Sequence, residues 1–305
     1  MAAPAMGKHT SGGGLSDRSL ALLFVLPSAV LLLTFSVFPF LQAAWDSLYR
    51  IPVVTRVEAF VGLDNYGRIL QEESIRAAAA RSLIWTITNV SVQAGLGLLI
   101  ALVLNVRLRG RDLARGLILF PYMVPAIVIA TIFRFTFNDI TGIANYLWQQ
   151  LPWVDGPILF LADPRIALIT VTLVNCWKYT PFMVIVLLAR LQTVPSDLYE
   201  AARIDGANAI HLFRDVTFPW LRPVLLIALL LRTIWTVNDF DVIYLLAFGG
   251  PLSATTTIPI EIRRLAFGQE DVGLASALAI LMAILVAAAS FVFLRLYHRS
   301  EAQLS

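Results

Sequence analysis

The sequence predicts an all-α polytopic membrane protein of six transmembrane helices, with both termini on the cytoplasmic side. Three observations carry this. The 305 residues are 58% hydrophobic and only 14% charged, with a mean hydropathy of +0.77; a water-soluble domain needs more polar surface than that. Six stretches, near 19–44, 82–106, 116–137, 166–189, 223–246 and 274–296, are predominantly apolar, each as long as the roughly 20 residues a helix needs to cross the hydrocarbon core. The cations between them alternate in density. Lys8 and Arg18, the cluster Arg107, Arg109, Arg111 and Arg115, then Arg190, Arg203, Arg214 and Arg222, and finally Arg295 and Arg299 all fall on one side of a six-span arrangement, which the positive-inside rule makes cytoplasmic.

Residues 1–18 are rich in Gly and Ser and read as a disordered cytoplasmic tail. The apolar run from Leu20 to Phe38 follows Lys8 and Arg18. It exceeds the roughly 7–15 residues of a signal-peptide core and lacks a small-x-small cleavage site, so an uncleaved first span over 19–44 is expected. Residues 45–81 form an extracytoplasmic loop, and 82–297 hold five further helices, the conformation that satisfies the backbone in lipid. Pro27, Pro121, Pro125 and Pro181 lie inside spans; each kinks a helix or frees a carbonyl that a neighbour must take up. The outer segments 138–165 and 249–271 carry Asn145, Tyr146, Trp148 and Trp153, and Gly249-Gly250-Pro251. Their aromatic content suits either a belt at the membrane interface or a landing surface for an extracytoplasmic partner. Residues 298–305 form a second cytoplasmic tail. One cysteine, Cys176, excludes an intrachain disulfide, and three scattered histidines offer no metal cluster.

Four ionisable residues fall inside spans: Lys178 in the fourth, and Arg232, Asp239 and Asp241 in the fifth. Each costs roughly 2.5–3.5 kcal/mol at the bilayer centre, so each should face the bundle interior, a partner subunit or a water-filled path. Arg232, Trp235 and Asp239 follow helical spacing, with Arg232 and Asp239 about 10.5 Å apart along an ideal axis. They read as two polar stations on one stripe, with Asp241 on the opposite face. One reading is structural, in which these groups pair and hold the bundle. The other is a translocation path lined by Asn175, Lys178, Arg232, Asn238 and Asp239, with Trp177, Tyr179 or Trp235 stacking on a sugar ring.

The segment Glu200 to Pro223, EAARIDGANAIHLFRDVTFPWLRP, is polar and helix-prone in an otherwise apolar chain. Asp197 and Glu200 stand at capping-box spacing. Gly206 can stop a first helix, and Asn208 can cap a second one running to about Asp215. Pro219 and Pro223 then punctuate the return to the membrane. Ala201 and Ala202 leave one face almost without side-chain bulk. Taken alone, such a loop is an ordinary solvated connection.

Glu200-Ala201-Ala202, then Asp205-Gly206-Ala207, Phe213 and Phe218-Pro219 resemble the EAA loop of binding-protein-dependent ABC importer permeases at family spacing. The family's I-x-L-P ending stands here as Val216-Thr217-Phe218-Pro219. The string Phe60-Val61-Gly62-Leu63-Asp64-Asn65-Tyr66, together with Trp177 to Phe182 and Asn238 to Asp241, resembles segments of the sugar-importer branch of maltose and glycerol-phosphate type. The overall look resembles the first permease subunit of the actinobacterial trehalose importer.

The resemblance implies a type I ABC importer permease fold in a bacterial cytoplasmic membrane. It implies a coupling helix seated in a cytoplasmic ATPase subunit, with Glu200, Ala201, Ala202, Arg203, Asp205, Gly206, Phe218 and Pro219 as the coupling residues. It also implies a second homologous permease, two ATPase subunits and an extracytoplasmic sugar-binding protein or lipoprotein. ATP and Mg would sit on the ATPase partners and no cofactor in this chain, which has no GxxxxGK[ST] loop; nucleic acid has no part in it. The cargo implied is a disaccharide such as trehalose or maltose. Alternatives are glycerol phosphate or another polar solute, a secondary transporter without an ATPase, and a passive scaffold subunit. A membrane-embedded enzyme finds no support, since neither HExxH nor a Ser/His/Asp set stands out.

Overall fold

A computed structural model describes residues 17–52, 58–106, 109–153, 156–269 and 271–301. The expected tail therefore lies outside the described residues up to residue 16, as do Arg107 and residues 302–305. Helix α1 (Asp17–Leu32) passes through a π turn at Leu33–Val37 into α2 (Phe38–Asp46). Together they form the first span, Leu20–Asp46. Its apolar window has no residue buried within the chain, and α2 packs against the last helix.

The expected extracytoplasmic loop is a folded cap. Strand β1 (Tyr49–Arg50) pairs antiparallel with β2 (Ala59–Phe60), placing Tyr49 opposite Phe60. Helix α3 (Asp64–Gln71) follows. Asn65 is fully buried, and its amide donates to the carbonyls of Ser47 at 2.9 Å and Tyr49 at 2.8 Å. The hydroxyls of Tyr66 and Ser47 meet at 2.9 Å, and Arg68 pairs with Asp271 at 2.9 Å, just before the last helix.

Helix α4 (Glu73–Asn105) begins well before the expected span at 82. Glu73 and Arg76 lower the hydropathy there, but Ala77 to Ala80 favour helix and carry the turn forward. Helix α4 packs along α8 (Ala167–Leu191). A Cβ at Gly97 would collide with the side chain of Met183, so glycine is what lets these two helices approach.

The third span departs from expectation. It is not one kinked helix but two, α5 (Arg111–Met123) and α6 (Ala126–Thr136), bent by 92° at Val124-Pro125. Proline disfavours helical backbone in the residue before it, and Val124 is extended at ψ 130°. The short α7 (Ile143–Gln149) follows.

The fifth span departs as well. After α9 (Ser196–Ile204) and α10 (Ala209–His211), a π turn at Leu212–Thr217 runs straight into α11 (Phe218–Val237). That helix ends at Val237 and the chain turns at Asn238. Residues 241–247 form a separate helix, α12 (Asp241–Ala247). Next come α13 (Ile258–Arg263) and α14 (Val272–Glu301). Among the described residues five helices are long and apolar enough to cross a membrane, and the bent pair makes a sixth if it counts as one span.

Two apolar clusters fix the bundle around the sites below. Trp85, Ile129, Val171, Val174, Ile243 and Leu246 join α4, α6, α8 and α12. Ala101, Leu104, Val184, Leu187, Leu191 and Leu221 join α4, α8 and α11 beneath the 195–217 segment.

Candidate coupling surface and membrane cavity

The 195–220 segment is a compact helical element joined to α8 at one end and α11 at the other; it is called the lever, after the role expected of it. Pro195, extended at ψ 135°, starts α9 two residues earlier than the expected capping box requires. Asp197 therefore lies in the first turn, where it faces the positive helix end, and no side chain caps the helix. Gly206, at φ +84°, ends it. Ala207 N–H reaches Ala202 O at 2.9 Å and Gly206 N–H reaches Arg203 O at 3.0 Å, which satisfies carbonyls that a helix end leaves open. Asn208 then caps α10, its Oδ1 accepting from the N–H groups of Ile210 and His211 at 3.0 Å each. The second helix does not stop near Asp215. The π turn resets the hydrogen-bond register, with Phe218 N–H bonded to Phe213 O, so Pro219 falls in the first turn of α11, where its missing N–H costs little.

Three contacts tie this lever to the bundle. The Tyr199 and Thr217 hydroxyls meet at 3.0 Å. Arg190 donates to Trp220 O at 3.1 Å and stacks its guanidinium 4.7 Å from the Trp220 ring centre. Trp220 in turn donates to Thr193 Oγ1 at 3.3 Å. Of the coupling residues expected from sequence, Glu200, Ala201, Arg203, Asp205, Gly206 and Phe218 are exposed, while Ala202 and Pro219 are half-buried. On either side of Gly206 stand Ile204, 87% exposed, and Ile210, 74% exposed, two apolar side chains that the sequence reading passed over.

The second site is a cavity of about 290 Å³ between α5, α8, α11 and the turn after α11. Tyr122, Tyr179, Arg232 and Trp235 line it on one side; Asn238, Asp239, Phe240 and Asp241 complete it. Asp241 thus shares the cavity with Asp239 rather than facing away. The helical wheel that separated them does not extend past Val237, where the helix ends. Arg232 is only 2% exposed. It donates through Nε to Gln93 Oε1 at 2.7 Å and through Nη2 to Thr236 Oγ1 at 3.1 Å, with its guanidinium 4.5 Å from the Tyr179 ring centre.

The remaining residues of the expected path lie elsewhere. Asn175 is fully buried behind the cavity and donates to Asp239 Oδ2 at 2.6 Å. Lys178, 5% exposed, turns to the break in the third span and donates to Val124 O at 2.5 Å. Trp177 is on another face of α8, 43% exposed, with its ring edge-on to Phe133 at 5.3 Å. Asn89 and Gln93 were missed altogether. They are both fully buried, and their signal was two amides one helical turn apart in an apolar helix. The cavity combines a guanidinium, two carboxylates and an amide with the rings of Tyr122, Tyr179, Trp235 and Phe240. Such a set can hydrogen-bond a polyhydroxylated ring and cover its apolar faces.

The chain as a whole is similar to known proteins. Residues 93–305 match the model of the binding-protein-dependent transport system inner membrane component family. The chain is 38% identical over 282 residues to the trehalose/maltose transport system permease protein MalF of Thermococcus litoralis, covering 92% of this chain and 94% of that one. It is 35% identical to the trehalose transport system permease protein SugA of Mycobacterium tuberculosis, covering 94% and 91%. Among solved structures it superposes on a chain of a bacterial ABC transporter involved in import of the acidic polysaccharide alginate, with a TM-score of 0.80, 22% identity, and 92% and 95% coverage.

Proposed function

Since the chain belongs to the binding-protein-dependent transport system inner membrane components, we propose that it is the sugar-conducting permease subunit of an ABC importer, with trehalose or maltose as cargo. The observation that carries this is likeness to trehalose and maltose permeases over more than nine-tenths of the chain, joined to the anchored segment 195–220, whose helix α9 is largely exposed. In this reading both termini and the lever face the cytoplasm of a bacterial cell, the direction favoured by the cation pattern. A second permease, two ATPase subunits and an extracytoplasmic binding protein complete the transporter. ATP and Mg belong to the ATPase subunits.

The proposed mechanism uses the contacts described above. Closure of the ATPase subunits moves α9. Ile204 and Ile210 supply apolar contact, Glu200 and Arg203 polar docking, and Ala201 and Ala202 close approach. The Arg190–Trp220 and Tyr199–Thr217 contacts pass that motion to α8 and α11, the two helices that also wall the cavity. Rocking them exposes Arg232 and Asp239 to one side and then to the other, an alternating-access exchange. The test is uptake of radiolabelled trehalose and maltose by proteoliposomes holding the whole complex with its binding protein. Uptake should require ATP and all partners. Sugar accumulation by this chain without an ATPase would favour a secondary transporter and end the proposal.

A further inference from the structure

Arg232 and Asp239 both line the cavity, yet among the described residues no ion pair joins them. A relay of two buried amides stands between them. Arg232 Nε donates to Gln93 Oε1 at 2.7 Å, Gln93 Nε2 to Asn175 Oδ1 at 3.1 Å, and Asn175 Nδ2 to Asp239 Oδ2 at 2.6 Å. The direction of this chain is dictated by chemistry. A guanidinium only donates and a carboxylate only accepts, so each amide must turn its oxygen toward the arginine and its nitrogen toward the aspartate. Three bonds aligned head to tail polarise one another. The relay crosses three elements, since Gln93 is on α4, Asn175 on α8 and Arg232 on α11. Gln93 and Asn175 are both fully buried, and neither lines the cavity.

We propose that Gln93 and Asn175 are positioning residues for transport, holding Arg232 and Asp239 apart as a fixed donor and a fixed acceptor for a neutral polyhydroxylated cargo. This rests on reading the cavity as the sugar path. Without the relay, Arg232 loses the acceptor of its Nε and Asp239 loses a donor. Attraction between opposite charges is strong in a medium of low polarity, and the pair closes on itself. Cargo hydroxyls then meet a neutralised ion pair. With the relay intact, each charge keeps capacity for the cargo while its own charge is met by an amide. No anionic cargo is needed to balance the site, because the carboxylates Asp239 and Asp241 in the lining match the cations Arg232 and the neighbouring Lys178, 5.1 Å from the Tyr179 ring centre.

The experiment uses the full complex in proteoliposomes with labelled trehalose and maltose. It compares Gln93→Met and Asn175→Leu, each close in volume and without a hydrogen-bonding group, with Asp239→Asn and the double variant Gln93→Met/Asp239→Asn. The complexes should co-purify as the unaltered one does, while sugar moved per ATP hydrolysed falls about tenfold in each relay variant, the scale of one charge-assisted hydrogen bond. The double variant should be no worse than Asp239→Asn alone, because collapse needs the anion. Three outcomes overturn the proposal: both relay variants fail to assemble, both move sugar per ATP within about twofold of the unaltered complex, or the losses multiply in the double variant. Uptake of neither sugar by the unaltered complex would instead remove the sugar reading. The relay is then judged on emission from Trp235 at the cavity wall, taken as the difference from Trp235→Phe. A changed emission in Gln93→Met supports the collapse, and an unchanged one refutes it.

Discussion

Lys178 closes the gap that Pro125 opens: its ammonium donates to the carbonyl of Val124 at 2.5 Å. The chain turns by 92° there, and the amides of Val128 and Ile129 both bond back to Pro125 O instead. Val124 O is thereby left without a helical donor, and Lys178 supplies one. A charge inside the membrane that could line a path is committed to the corner between α5 and α6. Lys178→Met should lower the stability of the detergent-solubilised complex by about 1–3 kcal/mol, the range for a buried acceptor left unpaired. Thermal unfolding checks this, and the ratio of trehalose to maltose uptake should stay the same.

Gly206 is held by its backbone alone. It sits at φ +84° with nothing within 4 Å of where a Cβ would be, so substitution there meets strain rather than a clash. Left-handed backbone costs an ordinary L residue roughly 1–2 kcal/mol, and asparagine less. Gly206→Val should therefore disturb the angle between α9 and α10 and uncouple ATP hydrolysis from uptake, while Gly206→Asn retains most transport. Paired measurements of phosphate release and sugar uptake distinguish the two. Equal behaviour of the Val and Asn variants would show that the left-handed turn is not what couples the lever.

Much of this was legible from residue order because lipid leaves the backbone few choices. The fourth span was expected over 166–189 and runs Ala167–Leu191; the left-handed Gly206 and the Asn208 cap also stand where expected. Hydropathy could not show where an apolar run breaks. The third span stays apolar across Val124-Pro125, where proline sterics break it; in the fifth, Asn238, Asp239 and Asp241 stand at the break itself, and an expected helix over 223–246 ran through them. The same limit hid the relay. Arg232, Asp239 and Asn175 stand out beside charged or aromatic neighbours in their spans, whereas Gln93 stands among apolar and small residues, although an uncharged amide in lipid also needs a partner. Asp241 was misplaced for a related reason, since helical periodicity was carried past the helix end.

Ile204 and Ile210 are 87% and 74% exposed, and in the proposed transporter they would be the apolar part of the surface that meets the ATPase subunits. Burial of such a side chain is worth about 1.5–3 kcal/mol, which corresponds to a factor of roughly ten or more in affinity. Ile204→Asp and Ile210→Asp should each reduce recovery of the ATPase subunits with the purified permease pair, and together should abolish it. The pair itself should keep its thermal stability, because neither residue is buried in the bundle. Full recovery of ATPase subunits with both changes present would move the docking surface elsewhere.

Asn65 and Asp271 both hold the cap formed by β1, β2 and α3, and their burial predicts very different effects. Asn65 is 0% exposed and serves two carbonyls, those of Ser47 and Tyr49. Asn65→Leu keeps the volume but strands both acceptors, at about 1–3 kcal/mol for each buried group left unmet. Asp271 pairs with Arg68 while both side chains keep partial contact with solvent, 19% and 29% exposed, and such a pair contributes about 1 kcal/mol or less. Asn65→Leu should thus free the β1–β2 hairpin from α3. Trypsin should then cleave faster after Arg50, whose side chain is 51% exposed, and stimulation of ATP hydrolysis by the binding protein should fall. Asp271→Asn should leave both nearly unchanged. A cleavage rate for Asn65→Leu equal to that of the unaltered complex would mean that the cap is held by its apolar contacts, with Ile69 and Ile75 against Leu274 and Leu278, and not by this amide.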